Sequence, residues 1–405
     1  MSSEREKVEH RVYPRFERFV IGKEWKSHDE AFYQAKKTNF AQAAYWFWLF
    51  SEINDAASRK VCVLISRIGK KHYLNGKKIV GKNYSQNRFR GASWCWTYEN
   101  QKVETLFQGM AEVEIGNKKI EANLLDSSHT IQAHGSFPNY TLRLLEDGGE
   151  VGFFKTTGTR FSQPLTQNKY LKMRSIQAIS DGKESFAKID RVSQFPYCAS
   201  NMADLFAPFQ GNYRDWQMSG RAWIERARSY GMVANWKLAL VYFEDGSRLW
   251  FRFFTGTTLT YQEPLNFYFD LQQDGKWKRF PFYKKDWIYF KDERMNEPHS
   301  SIYENTKFLS LKGSGPEGDI EVLLKYNDAF LARYRAWRFE ARYYQLAFDV
   351  VSLLLKTKDG RIITEKELGK SVGYGEETFK RRWRETFFES EKEAKRKYVR
   401  HNLRH

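Results

Sequence analysis

From Ala43 onward the chain is written in short runs of β-branched and aromatic residues, separated by turn residues at near-regular intervals. The runs fall at residues 45–53, 61–68, 93–98, 103–115, 120–125, 140–145 and 151–156. Between them stand turn signals such as Asn75-Gly76, Gly116-Asn117 and Asp147-Gly148-Gly149. Many short strands with regular turns predict an antiparallel barrel or sandwich. Residues 194–214, with Pro196, Pro208 and Gly211, read as a linker. The pattern then resumes at 221–228, 237–244, 248–254, 307–311, 320–326, 333–343, 347–356 and 361–364. The segment 265–300 reads as an excursion capping one end of the second half. The prediction is an all-β chain of two consecutive antiparallel barrels, at 43–200 and 215–378. An N-terminal extension (1–42) carries a short helix over 27–40, opened by a Ser27/Glu30 capping box. From Thr378 the pattern turns helical and basic, which predicts a C-terminal helix over 379–405.

Two aromatic-rich runs, 236–244 and 247–254, meet at Asp245-Gly246. That dipeptide is the strongest short-range hairpin signal, because glycine takes the positive φ of a tight turn. Just before it lies Gly220-Arg221-Ala222-Trp223-Ile224-Glu225. On a strand, Glu225 shares a face with Trp223, two positions back. A carboxylic acid facing an apolar barrel cavity has its pKa raised by desolvation and can act as a general acid. The competing reading is a surface ion pair with Arg226 or Arg228.

The same residues carry a resemblance. Gly220 to Glu225, followed by Trp236-Lys237-Leu238-Ala239-Leu240-Val241-Tyr242-Phe243-Glu244-Asp245-Gly246-Ser247, resembles the centre of the two-domain lipocalin-like family. That family includes carotenoid 1,2-hydratases, AttH-type proteins and some fungal Diels–Alderases. Ala44-Tyr45-Trp46-Phe47-Trp48-Leu49-Phe50 is similar to its opening strand, and Gly373-Tyr374-Gly375-Glu376 to its closing strands. The resemblance implies lipocalin-like barrels, with the Glu225 strand opening the second. It also implies hydration or cyclisation of a hydrophobic, isoprenoid or polyene molecule without a cofactor. The hydratase branch has an Asp with neighbouring His residues here, whereas Glu225 is flanked by Ile224 and Arg226. Glu225 and Asp126 are the candidate catalytic acids. Trp223, Trp236, Trp46, Trp48 and Trp250 are the candidate ligand-binding residues.

Composition adjusts this picture in three places. First, 405 residues exceed one ordinary core, and 17% aromatics suit strands and a cavity for a flat or long apolar ligand. Second, Cys62, Cys95 and Cys198 match no metal or redox spacing, which fits a reducing compartment. Residues 1–18 are charged and no run approaches the roughly 20 apolar residues of a membrane span, so a cytoplasmic location is expected. Third, a net charge of +18 favours anionic partners, either acidic lipid headgroups at a membrane surface or nucleic acid.

Other candidate chemistry is thinner. Asp126, Ser127, Ser128, His129 and His134 form a polar cluster that reads as a decorated turn. Five residues apart on a strand, His129 and His134 face opposite sides, which disfavours a shared metal. No metal and no cofactor are expected. The alternation Arg333-Tyr334-Arg335-Ala336-Trp337-Arg338-Phe339 fits a strand with a solvated basic face, or a single-stranded nucleic-acid surface. Three functions therefore stay open: a lipocalin-like enzyme, a carrier of an apolar ligand at anionic membranes, and a nucleic-acid-binding protein.

Overall fold

The computed structural model describes residues 42–55, 58–68, 72–85, 87–116, 118–136, 139–157, 199–230, 235–255, 267–273, 276–290, 298–299, 307–336 and 339–382. The chain opens with β1 (Gln42–Glu52) and β2 (Lys60–Arg67), then a small hairpin of β3 (His72–Leu74) and β4 (Lys77–Ile79). The short β5 (Lys82–Asn83) precedes a meander of β6 (Arg88–Glu99), β7 (Lys102–Gly116) and β8 (Lys119–Leu124). β9 (His129–Ser136), β10 (Asn139–Glu146), β11 (Gly149–Thr156), β12 (Ala199–Tyr213) and β13 (Trp216–Tyr230) continue it. β13 folds back on β1, β1 pairs with β2, and β2 pairs with β6, so ten antiparallel strands close on themselves. Closure removes the unpaired edges that an open sheet would expose.

The alternation of side chains shows which face is inside. In β7 the inward positions Phe107, Ala111, Val113 and Ile115 are buried while their neighbours are partly or fully solvated. β1, β2 and β6 instead bury both faces along most of their length. Their inner residues, such as Trp46, Trp48 and Val63, fill the barrel. Their outer residues, among them Phe47, Leu49, Trp94 and Trp96, are covered by a second sheet.

That sheet is built from β14 (Asn235–Phe243), β15 (Arg248–Thr255), β16 (Phe267–Gln273), β17 (Lys276–Pro281), β18 (Lys284–Phe290) and β19 (Pro298–His299). It continues with β20 (Phe308–Gly315), β21 (Gly318–Ala336), β22 (Phe339–Thr357) and β23 (Ile362–Thr364). A single-turn helix α1 (Glu365–Leu368) leads into β24 (Ser371–Arg382). The order is β17-β16-β15-β14-β24-β22-β21-β20-β18-β19. The sheet curls until its margins meet: the Phe282 amide donates to Phe267 and the Tyr283 amide to Ser314. Its concave side holds an apolar core that includes Phe251, Phe269, Leu311 and Phe348. Its convex side presents Leu240, Trp250, Phe330 and Tyr374 to the first barrel.

Two devices lock the sheets together. The β3–β4 hairpin leaves the first barrel and pairs with β21, Leu74 opposite Tyr334. Asn75 sits at its tip with φ 48°, and its side chain bonds Gln108, Leu331 and the Arg333 amide. The second device is a β-bulge in β21 between Tyr326 and Ala329. A bulge adds residues that the ladder leaves unpaired and re-aims their side chains. Here Asn327 donates to Tyr98 and Asp349, and Asp328 accepts from the Val103 amide of the first barrel.

Several expectations need correction. Residues 199–213 of the expected linker are strand β12, and β13 with Glu225 belongs to the first barrel. The change of sheet falls between Tyr230 and Asn235. Gly211 reads as a break, yet it serves close packing, since a Cβ there would lie 2.1 Å from the Phe153 carbonyl. β13 is apolar on both faces over Ala222 to Ile224, so its pattern cannot say which sheet it joins. The expected excursion at 265–300 supplies strands β16 to β19; β16 is largely buried, while Lys284 and Asp286 mark a solvated face of β18. The run 333–343 spans a hairpin, with β21 ending at Ala336 and β22 starting at Phe339. β9 begins at His129, where a turn was expected to continue. Of the expected basic C-terminal helix, residues 379–382 are the end of β24, and the remainder lies outside the described residues. The expected helix at 27–40 and Cys198 also lie outside them. Among the described residues, no helix is long and apolar enough to cross a membrane.

Candidate functional site

Strand alternation sends Ala222 and Ile224 of β13 into the first barrel and Trp223 and Glu225 outward, against the second sheet. Glu225 is therefore buried, 2% exposed, at the junction of the two sheets and not inside a barrel. The Tyr45 hydroxyl, on neighbouring β1, donates to its Oε1 at 2.7 Å.

A second carboxyl group faces the same junction from β24. Tyr343 and Tyr374 both donate to Glu376 Oε1, at 2.5 and 2.7 Å. Behind Tyr343 stands Gln345, whose Nε2 donates to the Tyr343 hydroxyl at 2.8 Å. Gln345 Oε1 accepts the indole N–H of Trp96 at 2.6 Å and of Trp94 at 3.2 Å, with the Cys62 thiol at 3.7 Å. An amide nitrogen can only donate, so the single proton of Tyr343 must point at Glu376. The chain of bonds thus has one direction, from the indoles of the first barrel to a carboxylate of the second sheet.

The electrostatics agree with that direction. Burial pushes the Tyr45 phenol far above its ordinary range, and the charges of Glu225 and Glu376 push it further. Both acids therefore act on one hydroxyl. Burial first, and then Glu376, does the same to Tyr343 and Tyr374. The three phenols are held protonated as donors. Burial also raises the Cys62 thiol, which disfavours a thiolate nucleophile there.

The motif Gly373-Tyr374-Gly375-Glu376 now has a physical reading. Its glycines face Phe348 in the core of the second sheet, where a Cβ on Gly375 would lie 1.9 Å from the ring. The bare backbone lets β24 lie against that ring, which turns Tyr374 and Glu376 toward the junction. Beside them lies a small crevice between the sheets, with a volume of about 10 Å³, room for about one water molecule. Leu49, Trp223, Leu240 and Tyr374 form its apolar wall, with Ser51 and Arg221 at the side.

The other expected site residues disperse. Trp46 and Trp48 point into the first barrel, away from Glu225. Trp250 lies at the junction, stacked on Tyr268 with centroids 6.3 Å apart. Trp236 is in β14 opposite Phe254, and its side chain lies outside the described residues. Asp126 is exposed in the β8–β9 turn and ion-paired with Lys77 at 3.0 Å, so the structure does not bring it to Glu225. Tyr45, Tyr343, Gln345 and Glu376 were not selected from the sequence. Polar Gln345 inside an apolar run and the acid closing the Gly-Tyr-Gly-Glu motif were the available signals.

The topology is that of an all-β protein with a closed ten-stranded antiparallel barrel and a second curled sheet, holding a buried acid–phenol cluster between them. No family model matches the chain, and no curated protein does. Among solved structures, the chain is similar to a putative AttH from Nitrosomonas europaea. Identity is 12%, coverage is 86% of this chain and 95% of that one, and the TM-score is 0.43. It is also similar to CghA, solved with Sch210972, at 10% identity, 89% and 97% coverage, and a TM-score of 0.41.

Proposed function

We propose that the protein is a cofactor-independent enzyme that promotes hydration or ring closure of an apolar small molecule by proton transfer from the acid–phenol cluster. The observation that supports this reading is Tyr374. Its ring borders the crevice while its hydroxyl donates to the buried Glu376. A ligand against that wall would lie next to a cluster that can hold and pass a proton. Desolvation disfavours the charged form of a carboxyl group, and two neighbouring carboxyl groups resist joint ionisation. A proton placed on Glu225 or on Glu376 would make that group the general acid. Orientation of the bound molecule by the aromatic wall would supply the remainder of the rate.

Native mass spectrometry with lipid extraction, on protein purified from its own host, identifies the ligand. With that ligand, Glu225→Gln and Glu376→Gln are each expected to abolish turnover while leaving affinity within about threefold, since shape is kept and the proton is lost. Release of the ligand unchanged by wild-type protein would instead make the molecule a carrier.

A further inference from the structure

The end of the β21–β22 hairpin carries a different kind of surface, on the face turned away from the first barrel. In β21, Phe330, Ala332 and Tyr334 pack toward that barrel. Strand alternation therefore puts Arg333 and Arg335 on the opposite side, where both are exposed. Arg342 of β22, partly buried, stands in register opposite Arg333. The β3–β4 hairpin widens this face. Tyr73 is in register with Arg335, and Lys78 with Tyr73. Leu74 and Ile79 are buried toward the first barrel, so Tyr73 and Lys78 face the same way as Arg335. Lys78 is exposed and Tyr73 partly so. The Asn75 bonds to Leu331 and Arg333 fix the hairpin in this place.

Segments far apart in the chain thus build one basic sheet face with an aromatic ring set into it. Neighbouring strands lie about 4.8 Å apart and alternate residues about 6.6 Å apart along a strand, so the cations form a close grid. Glu340, in register with Arg335, is the acidic position beside it. Like charges directly opposite on a ladder, as Arg333 and Arg342 are, cost stability, and a bound polyanion offsets that cost. An anionic membrane would need an apolar surface to bury, and this face offers Tyr73 among cations. A ring between cations suits single-stranded nucleic acid, whose bases stack while its phosphates pair with the charges. In a duplex the bases already stack on each other and leave the ring unused. The net charge of +18 adds long-range attraction for such a partner.

We propose that the face formed by Lys78, Tyr73, Arg335, Arg333 and Arg342 binds single-stranded nucleic acid, with phosphates on the cations and a base stacked on Tyr73. It lies on the side of β21 and β22 opposite to the one that presents Tyr343 and Gln345 to the first barrel, and it is independent of the proton-transfer reading.

The test is fluorescence anisotropy of a labelled oligothymidylate of about twelve nucleotides with the full chain, beside an abasic phosphodiester of equal length. With about four phosphates neutralised, log Kd is expected to rise with log salt concentration at a slope of about 3. The doubly substituted protein Arg333→Gln, Arg335→Gln should lower that slope by about 1.4, and both positions are exposed, so the fold is retained. Tyr73→Leu should weaken the oligothymidylate about tenfold, with the slope and the affinity for the abasic strand unchanged. No binding by wild-type protein at about 50 mM salt overturns the proposal. Wild-type affinity and slope in the double variant would put the binding elsewhere on the chain and overturn it too. Equal affinity of wild-type protein for the two strands would reduce the face to a general polyanion site and remove the stacked base. Phosphatidylserine vesicles that bind through the same arginines, with no binding of the oligonucleotide, would assign the face to a membrane instead. Glu225→Gln should bind the oligonucleotide as wild type does, so failure of the catalytic reading would leave this result standing.

Discussion

Gln345 of the second sheet accepts the indole N–H of Trp96 of the first barrel at 2.6 Å, and both residues are fully buried. This one bond links the halves of the molecule and fixes which end of the amide faces which partner. With Oε1 committed to the indoles, Nε2 is turned to Tyr343, and Tyr343 is turned to Glu376. Gln345 thus sets the proton direction from Tyr343 on its own strand β22 to Glu376 on β24.

Gln345→Leu removes the acceptor of two buried indole N–H groups and the donor to Tyr343. Leaving buried donors unsatisfied costs about 1–3 kcal/mol each, so a loss of about 2–5 kcal/mol is expected. Urea denaturation monitored by tryptophan fluorescence measures it. A midpoint within error of wild type would show that the Trp96 bond does not hold the sheets together.

Lys60 offers a pH dependence with a definite sign. It is fully buried beside Tyr98 and donates to the Ser58 carbonyl, and burial pulls its ammonium down from 10.5 to about 8. Below pH 8 the folded and unfolded chains both hold the proton, and the folded chain bears the full cost of burying the charge. Between about 8 and 10.5 the unfolded chain binds the proton and the folded chain does not, so Lys60 makes stability rise with pH. Relative to Lys60→Met, wild-type protein should therefore gain on the order of 3 kcal/mol across that window. Parallel urea titrations at pH 7, 9 and 10.5 test this. A constant difference between the two proteins would show that Lys60 is not desolvated in the fold.

Asn75 ties the β3–β4 hairpin to β21 through side-chain bonds to Leu331 and Arg333, and to β7 through a third to Gln108, while holding a positive φ. Asn75→Ala loses those bonds and keeps the strain, and about 2–4 kcal/mol of destabilisation is expected. Asn75→Gly relieves the strain and should recover about 1 kcal/mol. Calorimetry reads both effects. A single transition in wild-type protein that splits into two in Asn75→Ala would assign the hairpin to the coupling of the sheets. Two transitions already present in wild-type protein would exclude that role.

Local chemistry sufficed for much of the fold. The Asp245-Gly246 turn joins β14 to β15 in a hairpin, as the dipeptide predicts, while the register, Phe243 bonded to Ser247 across a three-residue loop, is one residue off a two-residue turn. Asn75-Gly76 turns a hairpin for the same reason. The all-β class follows from β-branched and aromatic runs that alternate or stay apolar according to whether one face or two are covered. The site was legible only in fragments. Trp223 and Glu225 were readable as neighbours on one face, because a strand alternates with period two.

What that period cannot supply is the identity of the surface each face meets. Glu225 was expected in a barrel cavity, and it faces a second sheet because β13 pairs with β1 and not with β14. Tyr45 and Glu225, bonded at 2.7 Å, are 180 residues apart in sequence. Gln345 and Trp96 are 249 residues apart. Pairing of distant strands is a sum of many weak contacts over the whole surface, and no local pattern encodes which sum is largest. Residue order along the chain specifies the strands, their turns and the alternation of their faces. The tertiary structure decided which outer faces were pressed together, and so which acids, phenols and indoles became one buried cluster.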